Sequence, residues 1–91
     1  MNLYEVSVQS GSALPIFATD FDQAASIFTA WHLGHRETPV PDFEVKQRNP
    51  RWPGINTDHL LAALERGLAG VGRYDARIGW SIRSPLDEEY A

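Results

Sequence analysis

The longest strict alternation of apolar and polar residues in this chain lies near its C-terminus. In this stretch every second position is apolar: Tyr74, Ala76, Ile78, Trp80 and Ile82. A period of two is typical of a β-strand, whose successive side chains point to opposite faces of a sheet. We therefore predict one strand here, with Ile78, Trp80 and Ile82 on a single buried face, packed against helices near the centre of the sheet.

Shorter alternating stretches predict three more strands. Residues 2–9 alternate, residues 10–12 have the composition of a turn, and residues 14–18 can return as the second strand of a hairpin. Pro15 confines this second strand to a sheet edge or to a strand start, because proline cannot donate to a ladder. A further strand is predicted at residues 43–46, where apolar and charged residues again alternate.

A first helix is predicted over residues 21–33. Asp20 and Gln23 have the spacing of a capping box, in which the carboxylate accepts from first-turn amides. Apolar residues then recur at helical spacing as far as Trp31, which we assign to the core. Gly34 follows, and it is predicted to end the helix in the left-handed conformation.

A second helix is predicted over residues 58–69. Asn56 or Thr57 can cap it, and four leucines at helical spacing form its apolar stripe. Gly70 and Gly72 are expected to stop this helix, because glycine is a poor helix former and readily adopts turn conformations.

The order of these elements, ββαβαβ, predicts an α+β fold. We expect a two-layer sandwich, with a mainly antiparallel sheet and two helices on one face. The chain of 91 residues, with 43% hydrophobic content, is long enough for one domain and one modest core. We assign residues 1–84 to this domain and residues 85–91 to an acidic C-terminal tail.

Composition favours a soluble cytoplasmic protein. The chain has no cysteine, so neither a disulfide framework nor a thiolate metal site is expected. Its first residues lack the basic start and apolar run of a secretory signal, and no segment is apolar enough to span a membrane. We therefore expect no membrane association.

One irregular segment, from Lys46 to Gly54, combines cations with a tryptophan. Arg48, Arg51 and Trp52 lie in it, and its two prolines disfavour regular structure. Arginine and tryptophan are enriched among interface hot spots, and a stiffened loop loses less entropy when a partner docks. Trp52 is thus a candidate contact anchor; in the alternative interpretation it folds over one end of the sheet and caps the core.

Net charge bears on the kind of partner. The chain has a formal net charge of −4, and its eight cations all lie between residues 36 and 83. Binding of free nucleic acid usually needs a strongly basic surface, because phosphate neutralisation supplies much of the affinity. An acidic protein is therefore not expected to bind free nucleic acid tightly.

No pattern in the sequence indicates an enzyme, a cofactor or a metal. His32 and His35 have a spacing that can place two imidazoles on one helix face, but a metal site needs three or four ligands. Histidines near a helix C-terminus are also favoured by the helix dipole. Glu44, Glu65 or Asp75 could serve in acid–base chemistry, but no spacing selects a pair.

The favoured hypothesis is a small protein-binding module. In size and composition the chain is analogous to proteins that phages and mobile elements use to block host machinery, such as anti-CRISPR proteins; no family motif supports the analogy. Acidic groups at Asp42, Glu44 and Asp87 to Glu89 could imitate nucleic-acid phosphates and occupy the basic channel of a nucleic-acid enzyme. The predicted interaction residues are Lys46, Arg48, Arg51, Trp52, Asp42, Glu44, Arg77, Arg83, Asp87, Glu88 and Glu89.

Two alternatives remain open. In the first, the chain binds nucleic acid directly, with Lys46, Arg48, Arg51, Arg77 and Arg83 on phosphates and Trp52 stacked on a base. In the second, it is a small-ligand or enzymatic domain. For the charged residues of the predicted strands, a simpler interpretation is a solvated sheet face with cross-strand ion pairs.

Overall fold

The computed structural model describes residues 1–9, 11–48 and 54–88. Five strands form one sheet in the order β3-β1-β2-β4-β5, and every neighbouring pair is antiparallel. The predicted α+β class, with a mainly antiparallel sheet and two helices, is confirmed. The elements are β1 (Asn2–Val8), β2 (Ala13–Ala18), α1 (Phe21–His35), β3 (Phe43–Gln47), α2 (Thr57–Glu65), β4 (Gly70–Asp75) and β5 (Gly79–Arg83).

The two helices lie on opposite faces of this sheet, which differs from the prediction that they share one. On the α1 face, Tyr4 and Ile16 pack with Phe28 of α1. On the other face, which we call the α2 face, Leu3 and Phe17 pack with α2 and β5. Both faces of the β1–β2 hairpin are therefore buried at Leu3, Tyr4, Ile16 and Phe17, where large apolar residues stand at consecutive positions of each strand.

The C-terminal alternating run is a hairpin, where we predicted a single strand. β4 and β5 flank a turn at residues 76–78, and Ile78 is 76% exposed there instead of buried. Tyr74 stands directly opposite Trp80, so both side chains point to the same face. The odd number of residues between them preserves the alternation through the turn, and for this reason periodicity alone could not reveal it. β5 is consequently an edge strand, not a central one.

The glycines near the helix ends act differently from the prediction. Gly34 lies inside α1, which continues to His35 and ends at Arg36, where the backbone becomes extended. α2 ends at Glu65, and Gly67 supplies the positive φ of 66° that follows the helix. Gly72 lies in β4, where an added Cβ would approach Phe17 Cε2 to 2.8 Å. A close approach of side chains, and not helix termination, requires glycine there.

Two local predictions are confirmed. Asp20 Oδ1 accepts from the Gln23 amide at 2.8 Å, as a capping residue should. Trp80 is buried against Phe17, with their ring centroids 5.1 Å apart.

Pro15 lies in an inner strand, but the pairing of β2 with β4 comprises only Ile16 and Phe17. The ladder thus stops next to the residue that has no N–H to donate.

Candidate functional site

The α2 face is only partly covered by a helix. α2 packs over β5 and over Leu3 and Phe17, at one end of this face. Toward the β3 side, the described chain places no helix over the α2 face. We call this uncovered region the open face, and its residues come from β1, from β3 and from the position after β3: Glu5, Ser7, Glu44, Lys46 and Arg48.

Charges on the open face are paired with one another. Arg48 donates from Nη2 to Glu5 Oε1 at 2.7 Å and from Nε at 3.2 Å, which joins β1 to the end of β3. Lys46 Nζ lies 3.8 Å from Glu44 Oε1. Two cations thus accompany two carboxylates, and the open face carries no net charge. The expected cross-strand ion pairing is present in the Arg48–Glu5 pair.

The outer edge of β3 is not paired with any strand of the described chain. The Arg48 amide donates to Leu3 O at 2.8 Å, so the backbone groups of Arg48 point toward β1. Because backbone groups alternate in direction along a strand, those of Lys46 and Glu44 also point toward β1. The N–H and C=O groups of Phe43, Val45 and Gln47 then point outward. Such a row of outward groups is a template for another strand.

At the opposite edge of the sheet, formed by β5, one outward carbonyl has a side-chain partner. A Cβ added to Gly70 of β4 would clash with Arg83 O, so this carbonyl points inward. By the same alternation, the Trp80 carbonyl points outward. The side chain of Arg66, the residue that follows α2, donates from Nη1 to this carbonyl at 2.9 Å. The guanidinium therefore covers an outward acceptor that a further strand would need.

The structure separates the predicted interaction residues into distinct regions. Glu44, Lys46 and Arg48 belong to the open face, and Asp42 immediately precedes β3. Arg77 lies in the β4–β5 turn, 3.8 Å from Asp75 Oδ1. Arg83 follows at the other edge of the sheet, where its Nη1 lies 3.7 Å from Asp87 Oδ2, and Glu88 comes next along the chain. Arg51, Trp52 and Glu89 lie outside the described residues, so their roles stay predictions.

This separation bears on the idea of phosphate mimicry. Asp42 and Glu44 belong to the β3 edge, whereas Asp87 is paired with Arg83 at the β5 edge. Among the described residues, the acids Asp42 and Glu44 are therefore separated from Asp87 by the width of the sheet. The segment after β5 instead turns toward α1, where Leu86 approaches Gly34 and Pro85 O contacts His35.

All three histidines make hydrogen bonds within the fold. His32 is buried, and its Nε2 lies 3.0 Å from Thr38 O. His35 Nε2 lies 2.8 Å from Pro85 O. A carbonyl oxygen only accepts, so each of these nitrogens carries its proton and acts as a donor. His59 Nδ1 contacts the Tyr74 hydroxyl at 2.9 Å. Among the described residues, no group of three or more potential ligands could hold a metal ion.

One feature that the sequence did not reveal is a cleft of about 350 Å³ between α1 and the β1–β2 hairpin. Val6, Leu14 and Phe28 form part of its apolar wall, and His32 is among its polar residues. Arg36 also lines it, with the guanidinium carbon 4.8 Å from the centroid of the Trp31 ring. In the sequence, this cleft is indicated only by Arg36, a cation that directly follows a helix whose last turns contain Trp31.

No family model, curated protein or solved structure matches this chain. Across residues 1–9, 11–48 and 54–88, no helix is long and apolar enough to cross a membrane.

Proposed function

We propose that this chain is a protein-binding module that uses the open face and the β3 edge. The observation that carries the proposal is the open face, an electrically neutral part of the α2 face over which residues 1–9, 11–48 and 54–88 place no helix. It ends at a strand with outward backbone groups. Addition of a strand to a sheet edge is a common mode of peptide and protein recognition: main-chain hydrogen bonds supply affinity and neighbouring side chains supply specificity.

Electrostatics favours a protein over a nucleic acid as the partner. Lys46 and Arg48 already contact carboxylates, and release of either cation to a phosphate would leave an acid without its partner. Arg77 lies in a distant turn, where it accompanies Asp75. Nucleic-acid binding depends on several cations acting on one phosphate backbone. The described surface offers no such group of unpaired cations on the open face.

The analogy with small acidic inhibitors extends the proposal to a partner class. A protein of a nucleic-acid-handling complex is the expected target, as it is for the inhibitors of phages and mobile elements. Contact through β3 and the open face is favoured over phosphate mimicry, because Glu44 and Asp87 lie at different edges of the sheet.

The experiment is affinity capture from the cells that make the protein, with three matched baits. Wild type is compared with Ser7→Arg, which places a large side chain on the open face, and with Arg77→Ala, which changes a cation in the β4–β5 turn. A specific partner should be captured by wild type and by Arg77→Ala, and lost with Ser7→Arg. Equal capture by all three baits would contradict the proposed surface.

A titration of the same proteins with DNA and RNA tests the alternative. We expect no appreciable binding near physiological salt, and retention of any weak binding in Arg48→Ala. Tight binding that weakens steeply as salt rises, and that is lost in Arg48→Ala and Arg51→Ala, would replace the proposal by direct nucleic-acid recognition. Trp52→Ala is tested against the captured protein partner. If Trp52 anchors that interface, the substitution should weaken binding of the partner by about 2 kcal/mol or more.

A further inference from the structure

We propose that the β3 edge pairs with β3 of a second copy of this chain, in an antiparallel register centred on Val45. This inference rests on the proposed function and refines it: a second copy takes the β3 edge, and the open face stays available to the protein partner. A two-fold axis perpendicular to the sheet would relate the two copies, and the two sheets would join into one.

The direction of the backbone groups selects the register. Phe43, Val45 and Gln47 point their amide and carbonyl groups outward. In an antiparallel pair, two residues exchange both hydrogen bonds only when each points toward the other strand. A register centred on Val45 places the two Val45 residues opposite each other and each Phe43 opposite the other copy's Gln47. Every outward group of the strand then meets an outward group of its partner.

Charge complementarity supports the same register. Glu44 of each copy comes to lie opposite Lys46 of the other, on the α2 face of the joined sheet. Opposite charges at directly facing positions stabilise a strand pair, whereas like charges destabilise it. A lysine on an edge strand normally discourages pairing with foreign strands. Here the same lysine meets a carboxylate, so the edge is selective for its own sequence.

The apolar side of β3 is compatible with this pairing. Phe43 and Val45 are half-buried in the α1-face cluster, where Phe28 lies 4.7 Å from the Phe43 ring centroid. Joining two β3 strands would extend this apolar layer across the dimer. β3 has five residues, so the interface is small and we expect association of the weak, concentration-dependent kind.

Dimerisation would also change the proposed binding surface. Because the axis is perpendicular to the sheet, the open faces of both copies lie side by side on the same side of it. The two α2 helices then stand at opposite ends, and the four strands β1, β3, β3 and β1 form the floor between them. A partner would meet this composite floor, which neither copy forms alone.

Sedimentation velocity from micromolar to near-millimolar concentration tests the pairing through charge exchange. Lys46→Glu places acids opposite acids, and Glu44→Lys places cations opposite cations, so each variant should dissociate at least about tenfold more readily than wild type. An equimolar mixture of the two variants should associate, because every facing pair is again opposite in charge. The double exchange, with both substitutions in one chain, should restore the homodimer.

Arg77→Glu is the control, because it changes the net charge by as much as Lys46→Glu but lies in the β4–β5 turn. We expect its self-association to match that of wild type. A wild-type protein that stays monomeric at every concentration overturns the inference, as does a dimer insensitive to the charge exchanges. Thermal melts of each variant establish that it is folded.

The capture experiment separates this inference from the proposed function. If wild type is monomeric but the Ser7→Arg bait loses a captured protein, self-pairing is wrong and protein binding stands. If β3 dimers form but the three baits capture alike, self-pairing stands and the proposed function is wrong.

Discussion

The two edges of this sheet differ in how their outward backbone groups are satisfied. At β5, the Arg66 side chain donates to the outward carbonyl of Trp80 at 2.9 Å. At β3, the outward backbone groups of Phe43, Val45 and Gln47 have no strand partner in the described chain. An unprotected edge strand is a liability for a small protein unless another strand occupies it. The comparison therefore shows that Arg66 covers one outward acceptor at β5, whereas no strand of the described chain covers the outward groups at β3.

The two ends of the α2 face show the same contrast. The closed end is packed: Phe17 and Trp80 form an edge-to-face pair, and Leu60 of α2 is buried with them. On the open face, charged pairs replace apolar packing. Buried apolar area supplies most of the free energy of folding, whereas exposed ion pairs supply little. Substitutions at the closed end should therefore cost much more stability than substitutions on the open face.

The largest expected effect is that of Trp80→Ala. Removal of the buried indole leaves a cavity beside Phe17, and the free energy of unfolding should fall by about 3–5 kcal/mol. Trp80→Phe is the matched control, because it keeps an aromatic ring and removes an indole N–H that has no acceptor in the described part of the chain. Chemical denaturation measures both variants. A Trp80→Ala protein as stable as wild type would contradict the packing at the closed end.

Gly72→Ala should have the next largest effect. The new methyl group would lie 2.8 Å from Phe17 Cε2 and 3.0 Å from Trp80 Cζ3, so both rings must shift. Overpacking of this kind costs about 1–3 kcal/mol. Gly11→Ala is a useful comparison, because a Cβ there meets no atom within 4 Å, although its φ of 90° adds backbone strain. Smaller destabilisation by Gly72→Ala than by Gly11→Ala would show that the rings accommodate the methyl group.

These two positions also show what sequence reasoning could and could not provide. Periodicity predicted both helices and the burial of Trp80, because amphipathic spacing reflects the core directly. It did not place the two helices on opposite faces of the sheet, because Leu3 and Phe17 look like ordinary interruptions of an alternating strand. Gly72 reads as a helix stop in the sequence, and only the facing side chains show that it prevents a clash.

The candidate site was less predictable than the fold. Glu44 and Lys46 were predicted on a solvated sheet face, because charged positions alternate with apolar ones in β3. Arg48 was predicted as a contact residue of the irregular segment from Lys46 to Gly54. The assembly of these three residues into an open face depends on which strand neighbours β3, and strand order is not encoded in local periodicity. The closure of the other edge by Arg66 is likewise a long-range contact, with Trp80, fourteen positions further along the chain.

Arg66→Ala tests the difference between the edges directly. Loss of the guanidinium leaves the Trp80 carbonyl without this donor, and the free energy of unfolding should fall by about 0.5–1.5 kcal/mol. The β5 edge would then be open like the β3 edge, so we expect more self-association at high concentration. Sedimentation velocity and denaturation measure the two effects. A less stable variant with unchanged association would show that Arg66 supports the fold without protecting the edge.

The smallest effect is expected at the open face, for the pair formed by Arg48 and Glu5. Arg48 makes two hydrogen bonds to one carboxylate oxygen, but its side chain is 36% exposed, and that of Glu5 is 20% exposed. Water and salt screen such a pair, so a double-mutant cycle with Arg48→Ala and Glu5→Ala should give a coupling of about 0.2–1 kcal/mol. Denaturation at low and high salt provides the measurement, and the coupling should shrink as salt rises. A coupling of several kcal/mol that persists in high salt would mean that this face is stabilised like the closed end, and the contrast between the two ends would no longer hold.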